Sequence, residues 1–216
     1  MAILSPSILS ADFCNLERDF NMVKSTGAKW LHVDCMDGTF VPNMAFGYAA
    51  VKSIRGVTDM YLDVHMMIDR PIRYVDAFCE AGADLLTIHV EADTPENTAE
   101  AIKKIKSHGV KVGLSVKPKT PASAVLPYIK DCDLILVMTV EPGFGNQKFM
   151  ADMMPKLKEL REIIDRENPG CYLEVDGGIN LETGDTCKQN GADVFVSGSA
   201  YFKCDDKENF VKEIEK

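Results

Sequence analysis

The sequence has no Cys-x-x-Cys pair, and its seven cysteines (Cys14, Cys35, Cys79, Cys132, Cys171, Cys187, Cys204) are odd in number and scattered. That argues against a disulfide framework and against cysteine-held structural zinc, and reduced thiols in a cytoplasmic protein are expected. Long apolar runs are also missing. No stretch approaches the ~20 residues of a membrane span, and the start of the chain lacks a basic segment followed by an apolar one. Positive charge is in short supply. With 24 Lys and Arg against 33 Asp and Glu, the formal charge is -9, which argues against nucleic acid or an anionic membrane as partner. A local phosphate site remains compatible with it. No linker or low-complexity tract divides the 216 residues, so one domain over 1–216 is expected, with 46% hydrophobic residues to build its core.

Eight apolar or β-branched runs are present: Ile3–Leu9, Trp30–Met36, Tyr61–Met67, Leu85–Glu91, Val110–Val116, Leu134–Val140, Cys171–Gly177 and Val194–Ala200. Helical patterns lie between them, over Asn15–Ser25, Gly47–Ile54, Ile72–Ala81, Glu96–Lys106, Ala122–Ile129, Lys156–Arg166 and Glu182–Asn190, with a last one over Lys207–Ile214. Gly27, Gly82, Gly109 and Gly191 read as helix stops, and Asp12, Thr94 and Asn180 as caps. Gly-Ala-Lys/Asp recurs at 27–29, 82–84 and 191–193, each time just ahead of a strand. Eight strand–helix units in series predict an α/β fold, a single-domain TIM (β/α)8 barrel. The alternation agrees, since Leu86, Ile88 and Val90 oppose Thr87, His89 and Glu91. Such strands are apolar toward the helices and polar inward, with a site expected at the carboxyl-terminal mouth.

Side chains in a strand alternate faces, so His32, Asp34 and Met36 share the inward side of the second run. Ser5 and Ser7, Asp63, His65 and Met67, Leu136 and Met138, and Glu174 and Asp176 are inward by the same parity. An unpartnered carboxylate there is costly. His32, Asp34, His65 and Asp176 form a mixed N/O set suited to one divalent metal ion, Zn, Fe, Mn or Co. Taken singly, each reads better as a hydrogen-bonded core residue; the four in phase favour the metal. Asp63 and Glu174, one step deeper, either orient the histidines or make ordinary core hydrogen bonds.

Glycine-rich segments follow the last three strands: Gly143-Phe144-Gly145-Asn146, Gly177-Gly178 and Gly198-Ser199. Exposed backbone N–H groups at such turns bind anions, and barrels commonly hold phosphate there. Met36, Met67 and Met138 fill the core or wall a reactive intermediate off from water. His89 and His108 read as structural.

Ser5-Pro6-Ser7-Ile8-Leu9, His32-Val33-Asp34-Cys35-Met36-Asp37-Gly38, Phe40-Val41-Pro42-Asn43, Asp63-Val64-His65-Met66-Met67, Val137 to Gly145, Glu174 to Gly178 and Ser197 to Ala200 together resemble the ribulose-phosphate 3-epimerase family. The resemblance spans nearly the whole chain. It implies a TIM barrel that interconverts D-ribulose 5-phosphate and D-xylulose 5-phosphate, with Asp34 and Asp176 as the acid/base pair. It implies further that His32, Asp34, His65 and Asp176 hold the metal, that Ser7 and His65 meet the sugar, and that the glycine segments hold the phosphate. Asn146 stands where the family has glycine, and Thr39 where histidine is common. Asparagine tolerates positive φ, so the loop is expected to keep its shape.

Epimerising C3 removes the proton α to a carbonyl and returns one to the opposite face, through an ene-diolate that a metal would stabilise. The partner expected is therefore a small phosphorylated ketose; a homo-oligomer is left open. The alternatives are a related epimerase, such as one for allulose 6-phosphate, or a non-catalytic binding barrel. A decarboxylase of the same barrel type would carry Asp-x-Lys-x-x-Asp where this chain has Asp63, His65 and Ile68.

Overall fold

In the computed structural model, which describes residues 2–216, nine strands form one sheet. They are β1 (Ile3–Pro6), β2 (Trp30–Asp37), β3 (Met44–Ala45), β4 (Tyr61–Met67), β5 (Leu85–His89), β6 (Lys111–Val116), β7 (Leu134–Met138), β8 (Tyr172–Asp176) and β9 (Val194–Ser197). The order is β1-β9-β8-β7-β6-β5-β4-β2-β3. Every pairing is parallel except β2 with the short β3. A parallel bridge between Ser7 and His32 closes β1 onto β2 and completes the ring. The helices are α1 (Leu16–Ser25), α2 (Tyr48–Val57), α3 (Val75–Glu80), α4 (Pro95–Ser107), α5 (Met154–Glu167), α6 (Leu181–Gln189), α7 (Ser199–Lys203) and α8 (Lys207–Glu215). None of them is long and apolar enough to cross a membrane.

Two apolar layers follow from strand alternation. Outward residues such as Val33, Cys35, Val64, Leu86, Val112, Val137 and Val175 pack against the helices in one large core. Inside the ring, Leu85, Leu134, Leu136, Met138, Val140 and Val194 fill one part, with Ile3, Trp30 and Tyr61 against them. The rest of the interior is polar yet closed to water: Ser5, His32, Asp63, His65, Thr87, His89, Ser115 and Glu174 are all fully buried. Packing there is tight enough that a Cβ on Gly113 would lie 2.0 Å from Thr87 Oγ1.

The recurring Gly-Ala-Asp has a mechanical reading. Asp84 Oδ2 accepts Leu62 N–H at 2.8 Å and pairs with Arg55, and Asp193 Oδ2 accepts Leu173 N–H at 3.0 Å and pairs with Arg161. The arginine stem crosses the glycine so closely that a Cβ on Gly82 or Gly191 would lie 2.6 Å from it. Each copy ties a helix to the start of a neighbouring strand.

The sequence pattern differs from the structure at four places. Ala122–Ile129 forms no α-helix, only 3-10 turns at Ala122–Val125 and Ile129–Asp131. Pro127 has no N–H to close an α-helical bond to the Ser123 carbonyl, which Leu126 N–H takes in a 3-10 turn instead. The expected strands overrun, so that Ile8–Ser10 is a 3-10 turn and β9 stops at Ser197. There Gly198, at φ -94 and ψ -96, leaves the extended region and starts α7. Asp12 does not cap α1; Asn15 takes that position, while Asp12 accepts Cys14 N–H at 3.0 Å. Strand β3, a two-residue flap on β2, was not legible at all. Thr94 and Asn180 do cap α4 and α6, and the glycines at 27, 82, 109 and 191 all take positive φ.

Candidate active site

Strand register carries the site. Asp34 pairs with His65 across β2–β4, and Met138 with Asp176 across β7–β8. His32, Asp34, His65 and Asp176 each offer a donor atom within 4.8 Å of the others. His32 Nε2 and His65 Nδ1 are each 3.2 Å from Asp34 Oδ1, and His65 Nδ1 is 3.9 Å from Asp176 Oδ2. Ser7 donates its hydroxyl to Asp34 Oδ2 at 2.6 Å.

A second group, His32, Asp63 and Glu174, lies one layer deeper and shares His32 with the first. His32 Nδ1 is 2.6 Å from Asp63 Oδ2, which also accepts the Ser5 hydroxyl at 3.0 Å. Both Glu174 oxygens are buried without a hydrogen-bond partner among the described residues. Burial, and then the charge on Asp63, push the Glu174 carboxyl well above its ordinary range.

The titration states of the upper group are split. Burial raises Asp34, but His32 and His65 outweigh it and hold the carboxylate below its usual range. Burial and then the Asp34 charge push Asp176 up to about 6. Burial opposes charge on His32, yet Asp63 and Asp34 together hold the imidazolium well above its ordinary range. Burial pushes His89 down to about 4.

Asp34 and Asp176 form part of the floor of a cavity of about 260 Å³, a size that suits a small polar metabolite. Met36, Met67 and Met138 are in its wall, and all three are already buried, at 5%, 1% and 1% exposure. Its rim is formed by Gly143 to Asn146, Gly177-Gly178 and Gly198-Ser199. Gly143, Gly177 and Gly178 take φ of 120°, 125° and 67°, and Asn146 takes 58°, the left-handed conformation expected of an asparagine in a glycine's place. A Cβ on Gly198 would lie 2.7 Å from Ser10 Oγ. Asn43 Nδ2 donates to the Gly143 carbonyl at 2.7 Å and pins the first segment to the β2–α2 connection.

The donor set fits a divalent cation on this geometry. Two nitrogens and two carboxylates converge, and among the described residues no lysine or arginine lines the cavity to neutralise the acids. The structure thus brings Ser7, Asp34, Asp176, the three methionines and the glycine segments around one cavity, while His32 and His65 are outside its lining and reach the site through Asp34. It adds Leu9, Ser10, Ile179 and Asn180 to the lining. These come from the turn after β1 and the start of α6, where no chemically distinctive residue type marked them. It also places His89 Nε2 2.8 Å from His65 Nε2, a contact that strand parity alone does not reveal.

A family model described as the Ribulose-phosphate 3 epimerase family matches residues 3–202. The chain belongs to this family. The ribulose-phosphate 3-epimerase of Bacillus subtilis is 43% identical over 215 residues, covering 99% of this chain and 98% of that one. That of Schizosaccharomyces pombe is 40% identical over 213 residues, covering 97% and 91%. Among solved structures, 3-hexulose-6-phosphate synthase from Salmonella typhimurium matches with a TM-score of 0.69 at 18% identity, over 99% of this chain and 96% of that one. KGPDC from Streptococcus mutans reaches a TM-score of 0.69 at 14% identity, over 100% and 96%. At such identity the likeness concerns the fold, and the chain is a TIM barrel. In this ribulose-phosphate 3-epimerase family member the His/Asp group is one that could hold a metal ion.

Proposed function

We propose that this chain is an isomerase-class enzyme that interconverts D-ribulose 5-phosphate and D-xylulose 5-phosphate by moving a proton at C3. One observation carries the reading. Two carboxylates in opposite protonation tendencies, Asp34 held low and Asp176 raised to about 6, share the floor of one cavity. A pair whose environments push the two groups apart is what acid/base chemistry near neutral pH requires.

In the forward direction one carboxylate takes the C3 proton and the C–H electron pair flows toward the C2 carbonyl, leaving an ene-diolate. The other, protonated, returns a proton to C3 from the opposite face as the C2 carbonyl reforms. In reverse the roles exchange. Ser7, donating to Asp34 Oδ2, steers the remaining Asp34 lone pairs. His32, Asp34, His65 and Asp176 would hold one divalent ion, Zn, Fe, Mn or Co. When bound, it supplies positive charge that offsets the negative charge developing on the substrate. Met36, Met67 and Met138 keep water from the intermediate. The glycine segments take the phosphate, so that binding energy remote from C3 fixes the pose. The seven cysteines carry no disulfide, in keeping with a cytoplasmic enzyme, and residues 1–216 serve as one catalytic domain.

The test is proton NMR in D₂O of each epimer with metal-loaded Asp34→Asn and Asp176→Asn, metal content being checked first. Each variant should lose epimerisation yet slowly exchange C3–H in one epimer only, a different one for each. Equal exchange of both epimers by one variant would show that a single residue serves both faces. Comparing kcat/KM for allulose 6-phosphate separates the related epimerase; no turnover of either sugar points to a binding barrel.

A further inference from the structure

We infer that Glu91 and His89 are positioning residues that set the tautomer of neutral His65, so that its Nδ1 is the nitrogen free to ligate the ion held with Asp34 and Asp176. The inference rests on the metal assignment above and deepens it. His65 Nε2 faces His89 Nε2 at 2.8 Å. Two imidazole nitrogens at that distance share one proton, one donating and the other accepting. His89 Nδ1 lies 3.2 Å from Glu91 Oε2. A carboxylate only accepts, so His89 Nδ1 carries the proton. A neutral imidazole has one N–H; His89 Nε2 is then the acceptor, and His65 Nε2 the donor. In the neutral form that ligation requires, His65 therefore carries its one proton on Nε2 and keeps Nδ1 bare, the nitrogen that lies 3.2 Å from Asp34 Oδ1 and 3.9 Å from Asp176 Oδ2.

The polarity starts at a fixed point. Glu91 Oε1 accepts the backbone N–H of Lys117 at 2.7 Å, so both carboxylate oxygens are committed as acceptors. His89 and His65 are fully buried, and Phe40 covers the His89 ring at a centroid separation of 4.8 Å. Both rings are thus shut off from bulk water. Chains of this kind, in which an outer carboxylate orients an inner histidine, tune metal affinity about 10–100-fold.

Glu91→Gln tests the direction of the chain with the shape nearly unchanged. The backbone N–H of Lys117 claims the single amide oxygen, which leaves the NH₂ group against His89 Nδ1 and reverses the polarity. Two measurements use the full-length protein and zinc as the probe: zinc affinity by competition with a chromophoric chelator, and long-range ¹H–¹⁵N NMR of the labelled histidines. Zinc-loaded wild type should show His89 protonated at Nδ1 and bare at Nε2. Glu91→Gln should bind zinc about 10–100-fold more weakly, with His89 protonated at Nε2 and an unaltered circular dichroism spectrum. His89→Gln, whose amide oxygen can still accept from His65 Nε2–H, should stay closer to wild type than His89→Leu. Equal zinc affinity in wild type and Glu91→Gln, or a wild-type His89 protonated at Nε2, overturns the inference and leaves the metal assignment standing. Zinc bound by neither protein overturns the metal assignment, and the inference with it.

Discussion

Loading the site with zinc should expel protons, and by an amount the geometry sets. In the bare protein His32 lies between Asp63 Oδ2 at 2.6 Å and Asp34 Oδ1 at 3.2 Å, and these carboxylates raise it well above its ordinary range against the cost of burial. Its Nε2 proton must leave before that nitrogen can ligate. Asp176, pushed up to about 6, is protonated for about a tenth of molecules at pH 7 and about half at pH 6. Asp176 therefore releases about 0.1 proton per zinc at pH 7 and about 0.5 at pH 6, and His32 adds its own to both. Affinity must fall with pH, because protons and metal compete for the same atoms. Integrated from pH 7 to pH 6, Asp176 by itself weakens binding by a factor of about 1.8, or about 0.35 kcal/mol, and the raised His32 weakens it further in the same direction. Isothermal titration calorimetry in buffers of different ionisation enthalpy counts the protons, and chelator competition at the two pH values gives the affinities. Asp63→Asn removes one of the two carboxylates flanking His32 and should lower the proton count at pH 7. Zero proton release at pH 7, or affinity flat between pH 6 and 7, would refute the upward shift of His32 and the chain of reasoning built on it.

The purified protein should hold about one divalent ion per chain and lose epimerase activity to a chelator, regaining it on re-addition; full activity in metal-free enzyme by elemental analysis rejects the metal site. Gly198→Val should raise the KM for the phosphorylated sugar while zinc affinity stays put, because its Cβ lands 2.7 Å from Ser10 Oγ at the rim rather than the floor. Equal kcat/KM for ribulose with and without its phosphate removes the anion role from all three glycine segments. Gly113→Ala should cost about 1–3 kcal/mol by urea unfolding, since its Cβ meets Thr87 Oγ1 at 2.0 Å and Thr87 Cα at 3.0 Å inside the ring; a change below 0.5 kcal/mol, about the size of a surface substitution, would show the interior far looser than its burial implies.

Sequence by itself determined the eight barrel strands, seven of the eight helices expected after them, and the inward phase of His32, Asp34, His65, Glu174 and Asp176. Both rest on short-range rules: side chains alternate with period two along a strand, and glycines at 27, 82, 109 and 191 stop helices because they reach positive φ without strain. The motifs carrying the family resemblance lie on those same strand ends, so the candidate site was legible with the fold. Local rules failed where a single residue overrode a pattern, as Pro127 did over Ala122–Ile129 and Gly198 at the end of β9. What only the tertiary structure decided is how strands meet. Parity puts His65 and His89 both inward but is silent on their relative height. That depends on the register of β4 against β5, in which His65 sits opposite Thr87 and brings His89 within 2.8 Å. The same holds for the anchoring of Glu91 on the Lys117 backbone and for the uneven protonation of Asp34 and Asp176. Charges in a buried cluster are set by ångström-scale distances to partners far away in the chain, and no local pattern encodes those distances.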